Sequence, residues 1–285
     1  MALALVPSLS VRRLMVARDL LLPLLIFTLP FVMSLRYFQL AVVAGAQYHF
    51  VMSYWYQYRS GKMNQWYLLL ALSCFAGLSL FLVYNPNPLQ TLFLITSVLF
   101  STHFAIDEVA LHNDTFKSEQ VVSVFLFVLL HMSIHLALVW PVMAWLVTFS
   151  CILFGSYTLV RLYKQNYPSQ SEKYLWYLAL IFIIYHLTHL DTTFSLGVGL
   201  MSIVVLHLFN WLIGYGIRVH GTKRERRYWL ETLGFIGFFS LFAVVYAKTQ
   251  SPLLVFVYGT VYYYCWAIGH ILLSGLLSYQ KKLAS

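Results

Sequence analysis

Long apolar runs separated by short polar breaks fill the chain from end to end. The runs lie at about 19–35, 37–58, 63–84, 89–112, 119–139, 142–163, 174–190, 193–217, 228–247 and 252–278, and each is near the length that crosses a bilayer as a helix. The pattern predicts an all-α, polytopic membrane bundle of ten helices, two of them short. An eight-span arrangement requires neighbouring runs to merge, for example the first two as a re-entrant hairpin. Breaks coincide with helix-stopping residues: NPNP at 85–88, Pro141, NYPSQSEK at 166–173 and HGTKRERR at 220–227. No hydrophilic segment exceeds about a dozen residues, so residues 1–285 read as a single integral membrane domain.

Composition agrees. The chain is 61% hydrophobic and 9% charged, with a mean hydropathy of +0.76, outside the range of ordinary soluble domains. The opening MALALVPSLSVRRLMVARD places its arginines after a short apolar start, the wrong order for a cleaved signal peptide, so the first span is expected to stay in the mature protein. Cys74, Cys151 and Cys265 lie within apolar runs without CxxC spacing and read as packing residues.

Charge fixes an orientation. With both termini cytoplasmic, ten spans put sixteen of the eighteen lysines and arginines on the cytoplasmic side and leave only Arg36 and Lys248 opposite. The net charge of +9 is then the positive-inside bias together with attraction to anionic lipid, and no nucleic-acid partner is implied. The expected location is a bacterial inner membrane or its equivalent.

Against this background the histidines stand out. Of ten, only His220 falls clearly in a loop; His49, His103, His112, His131, His135, His186, His189, His207 and His270 lie in spans or at their ends. Ionisable groups inside a bilayer are costly and mark functional sites by default. His103 and Asp107, Glu108 and His112, and His131 and His135 are each four apart, and His186 and His189 three apart, so each pair shares one helix face and can offer two ligands to one ion. Imidazole with carboxylate suits iron, manganese or zinc, and helix-borne pairs of this kind build the iron sites of bundle cores.

Depth sorts these residues. His49, His103 and His207 fall about 20 Å below the outer ends of their spans and can meet near the midplane. His131 lies higher and His135, His186, His189 and Asp191 higher still, whereas Asp107, Glu108, His112 and His270 lie lower. His112 and Asp114 also read as the point where span four meets water, the His131/His135 pair as two interhelical hydrogen bonds, and His189 with Asp191 as a wetted helix end. Asn210, three residues after His207, is a candidate to support a ligating histidine. The tyrosines and tryptophan of YHFVMSYWYQYR (48–59) read as an interfacial belt, and YYYCW (262–266) either packs the core or walls an apolar tunnel.

Phosphate-binding and serine-hydrolase motifs are absent from the chain. The histidine cluster resembles that of membrane non-haem iron oxygenases. Desaturases and hydroxylases share the theme but carry a His-x-x-His-His box that this chain lacks. The Brp/Blh-type β-carotene dioxygenases are nearer in size, span number and use of single histidines from several helices, and QYHF (47–50) and THF (102–104) are similar to their histidine-phenylalanine pairs. Their Pro-His-Gly-Ala-Leu-Asp element is absent from the first span.

The resemblance implies a non-haem iron centre, mononuclear or dinuclear. The metal candidates are His49, His103, Asp107, His131, His135, His186, His189, His207 and His270. The expected partners are O2, a membrane lipid or other lipophilic molecule (a carotenoid, isoprenoid or acyl chain) and an electron donor. Two other readings stay open: a proton- or metal-coupled transporter using intramembrane His and Asp, and a bis-histidine haem protein for electron transfer.

Overall fold

The computed structural model describes residues 32–61, 63–85, 87–112, 118–164 and 192–283, with Leu180 and a few short pieces before residue 32. Among the described residues the chain is all-helical and has no strand. The helices are α1 (Leu35–Arg59), α2 (Gln65–Tyr84), α3 (Pro88–His112), α4 (Ser118–Val139), α5 (Ala144–Tyr163), α6 (Thr192–Val219), α7 (Glu225–Thr249), α8 (Pro252–Tyr258) and α9 (Thr260–Leu283). The ends of α1 to α7 differ from those read in the sequence by no more than three residues. The expected span at 174–190 lies outside the described residues apart from Leu180, and that at 19–35 largely so.

Five stretches are long and apolar enough to cross a membrane: Gln65–Leu82, Val121–Val139, Pro141–Tyr163, Met201–Val219 and Glu225–Thr249. A sixth is the α8–α9 pair, bent by 45° at its break. The length and composition of these helices are consistent with an integral membrane protein, with five to six such spans among the described residues.

Local chemistry explains the ends. Asn64 caps α2 by accepting the Trp66 N–H at 3.0 Å. Pro88 and Pro252 open α3 and α8, where a missing N–H costs nothing. Between α6 and α7 the chain reverses within a few residues: Gly221 takes a φ of 72°, and the Glu225 carboxylate accepts the Gly221 N–H at 2.8 Å and pairs with His220 Nδ1 at 2.7 Å.

The α8–α9 break is satisfied from within the protein. Gln47, buried on α1, donates from Nε2 to the Val257 carbonyl at 2.8 Å. Trp266 Nε1–H donates to the Phe256 carbonyl at 2.9 Å. Carbonyls freed by a broken span must find donors when no water is at hand, and these two side chains supply them.

Helices differ sharply in burial. In α4 and α6, 50% of the spanning window is buried, against 11% in α2 and α7, so the former are inner helices and the latter form the rim. Leu68, Leu69, Leu72, Leu80 and Phe81 of α2 and Leu230, Leu233, Phe238 and Leu241 of α7 remain exposed, as expected of side chains that face lipid. Helix α1 carries Gln47 and His49 in its middle yet packs against α6, α7, α8 and α9, which shields those groups.

Close approach between helices rests on small residues. Gly45 of α1 faces α6, where an added Cβ would lie 3.2 Å from Leu208 Cδ1, and the neighbouring Ala44 packs against Ala243 of α7 and Tyr258 of α8. At the α6–α7 contact, a Cβ at Gly216 would lie 2.6 Å from the indole of Trp229. Gly216→Ala is expected to cost about 1–3 kcal/mol by overpacking, read as a lowered unfolding midpoint of the detergent-solubilised protein.

Candidate metal centre

Four helices, α1, α6, α3 and α9, pack as a closed ring in which each neighbouring pair is in contact. Each sends one imidazole inward. Ring centroids are separated by 5.7 Å between His49 (α1) and His207 (α6), 5.7 Å between His207 and His103 (α3), 5.7 Å between His103 and His270 (α9), and 5.1 Å between His270 and His49. The cycle closes on itself. These four side chains line one cavity of about 10 Å³ together with Ala46, Phe50, Phe100, Phe104, Val204, Leu208 and Tyr263. That space admits one water or one ion.

Asp107 joins from one turn beyond His103. Its Oδ2 lies 3.3 Å from His103 Nε2 and 3.9 Å from His207 Nε2. In the group His103, Asp107 and His207, one ligand atom from each residue lies within 4.8 Å of the others, a spacing that one metal ion can bridge. Trp211 Nε1–H donates to the same Asp107 Oδ2 at 3.1 Å. Side chains on a helix lean towards its N-terminus. Asp107 and Trp211, each four residues after a histidine, therefore lean back to the level of His103 and His207.

The neighbouring hydroxyls do not compete for these groups. Thr96 donates to the Leu92 carbonyl at 2.7 Å, Ser97 to the Leu94 carbonyl at 2.7 Å, and Ser101 to the Ser97 carbonyl, all within α3. The imidazoles are different. His270 is 2% exposed, and its Nδ1 finds no hydrogen-bond partner among the described residues. A buried ring nitrogen without a partner, that of His270, beside a cavity of ionic size and a carboxylate held by Trp211 fits a metal ion.

The remaining candidates separate into groups. His131 and His135 of α4 face each other at a 4.7 Å centroid distance, and His135 Nδ1–H donates to the His131 carbonyl at 2.9 Å. Phe104 stands between them and the ring of four, with centroids 4.3 Å from His207 and 5.6 Å from His131. The structure thus brings His49, His103, Asp107, His207 and His270 together and sets His131 and His135 aside. His186 and His189, with Asp191, lie outside the described residues, and the polar end of α3 runs out of them after His112.

His270 sits higher than its sequence position implied. A straight helix over 252–278 places it below His49; the span instead breaks at Gly259, and the His270 ring lies 5.1 Å from that of His49. Trp211 escaped the sequence reading altogether. Its spacing of four residues from His207, the same as that of Asp107 from His103, was the available signal.

Comparison with protein families, curated proteins and solved structures finds no match to this chain. The site has to be judged on its geometry. Trp211→Phe is expected to lower stability by about 1.5–3 kcal/mol through loss of a hydrogen bond to a charged acceptor. The loss should shrink when Asp107 is already alanine, a coupling that a double-mutant cycle in denaturant unfolding measures.

Proposed function

We propose that this protein is a membrane-embedded non-haem iron oxygenase that acts with O2 on a lipophilic substrate, a carotenoid, isoprenoid or acyl chain. The observation that carries this reading is the closed ring of four imidazoles with one carboxylate, inside a bundle whose outer surface is apolar. Nitrogen and oxygen ligands without thiolate suit iron, and bound iron would supply the activation of dioxygen. His49, His103, His207 and His270 hold the ion, with Asp107 as the anionic ligand. Trp211 keeps the Asp107 carboxylate in place. Phe50, Phe100 and Phe104 line the cavity and exclude water.

Two observations weigh against the rival readings. A haem would have to lie between two of the imidazoles, and the space they enclose is about 10 Å³. A transporter needs a continuous polar path, and the buried ring of Phe104 interrupts the line from His135 through His131 to His207.

The full topology proposed is ten spans with both termini cytoplasmic, in a bacterial inner membrane or equivalent. It is supported by the agreement of α1 to α7 with the expected spans and by the basic α6–α7 turn, which holds Lys223, Arg224, Arg226 and Arg227. That basic side is where an electron donor would dock if the reaction consumes external electrons.

Elemental analysis and an absorption spectrum of the purified protein test the proposal. About one iron per chain without a Soret band is expected. His103→Ala and His207→Ala should lose the iron while the protein still inserts and elutes as wild type. A Soret band would establish the haem reading, and a protein that retains no metal would favour transport.

A further inference from the structure

Beside the ring of four lies a larger cavity of about 60 Å³, lined by Val42, Phe100, Phe104, His131, His135, Met201, Val204, Tyr263 and Tyr264. Its chemistry is unlike that of its neighbour. His131 is 0% exposed, and neither of its ring nitrogens has a hydrogen-bond partner among the described residues. A buried polar atom left in that state is costly, so such groups normally serve a ligand or water. No carboxylate lines this chamber, and aromatic and aliphatic side chains form most of its wall. Such a wall disfavours any charged guest.

The neighbours narrow the guest further. His135 Nδ1–H is committed to the His131 carbonyl, so the guest is judged by what His131 offers. A neutral His131 offers a donor at one nitrogen and an acceptor at the other, and a hydroxyl can meet either one because it both donates and accepts. An ester or ketone can meet only the donor, and a hydrocarbon neither. Met201 is the one lining residue that is not buried. Being unbranched and adaptable, it can yield to let a chain pass from the lipid side.

We propose that this chamber binds the hydroxyl end of a lipophilic alcohol, with His131 as the hydrogen-bonding residue and Met201 at the entrance. The inference rests on the oxygenase reading for its purpose, since Phe104 and Tyr263 are shared by the two cavities and would hold the alcohol's adjoining carbons next to the metal centre. It narrows the substrate from any lipophilic chain to a hydroxylated one. Its binding claim stands on the chamber alone.

Specific binding of tritiated farnesol and oleyl alcohol to the full chain in nanodiscs is the test, with displacement by each alcohol or by its hydrocarbon counterpart, 2,6,10-trimethyldodeca-2,6,10-triene or 9-octadecene, at equal membrane fraction. At least one alcohol should bind specifically, with its hydrocarbon displacing it ten-fold or more less well. His131→Phe should weaken that alcohol ten-fold or more and abolish the preference over hydrocarbon. His131→Gln, which keeps a donor and an acceptor, should restore binding to within a few-fold, so a misfolded Phe variant cannot imitate the result. Equal displacement by hydrocarbon, unaltered binding in His131→Phe, or no specific binding of either alcohol overturns the proposal. Iron content is measured on the same samples. Alcohol selectivity without iron would defeat the oxygenase reading alone, and iron without selectivity would defeat this inference alone.

Discussion

Inside a bilayer a polar side chain has no water to fall back on, and this constraint organises the molecule. A histidine or aspartate in a span must face protein and meet a partner there. His49, His103, Asp107, His207 and His270 come from four helices, yet their side chains crowd into one small volume. The convergence is the lowest-cost arrangement for helices that carry ionisable groups, because each group is drawn from lipid towards the others. It is also what a metal centre requires. Packing and chemistry therefore pull in the same direction at this site.

The same constraint distributes roles among the helices. The rim helices α2 and α7 keep apolar faces outward and are little buried, whereas α1, too polar in its middle to face lipid, is wrapped by four neighbours. The broken α8–α9 span shows the rule applied to backbone. Its freed carbonyls are met by Gln47 and Trp266, and the bend sets the register that brings His270 to His49. A buried glutamine on α1 thereby helps to place a histidine on α9.

Much of this was legible in the sequence, and the limits have physical causes. Helix positions from α1 to α7 follow from apolar runs and their punctuation, because in a membrane hydropathy and backbone satisfaction leave few alternatives. The equal depth of His49, His103 and His207 followed from counting residues along straight helices. The same count failed for His270, since the break at Gly259 is supported by Gln47, a side chain 210 positions from its partner Val257. Spacing alone made the His131/His135 pair look like the others, whereas depth already placed it above His49, His103 and His207. What separates it in the structure is a wall shared by both cavities, Phe100, Val204, Tyr263 and, between the imidazoles themselves, Phe104, and nothing in a pattern of histidines reports which ring stands there.

That ring bears on how many ions the proposed centre holds. A second ion near α4 would have to draw on His131 and on Nε2 of His135, since Nδ1 of that ring is bound to a carbonyl. No carboxylate lines that chamber, and among the described residues the only three-residue group with metal-ligand spacing is His103, Asp107 and His207. Two neutral imidazoles in an apolar chamber make a poor cage for a dication, which requires anionic ligands or more donors when water is excluded. On the proposed reading the two histidine groups therefore divide the work, one ion held by the ring of four with Asp107, and a neutral hydrogen-bonding chamber on the far side of Phe104. The wall between them is a single side chain thick, so a molecule held at His131 lies within reach of chemistry at the ring while the charge stays on the other side.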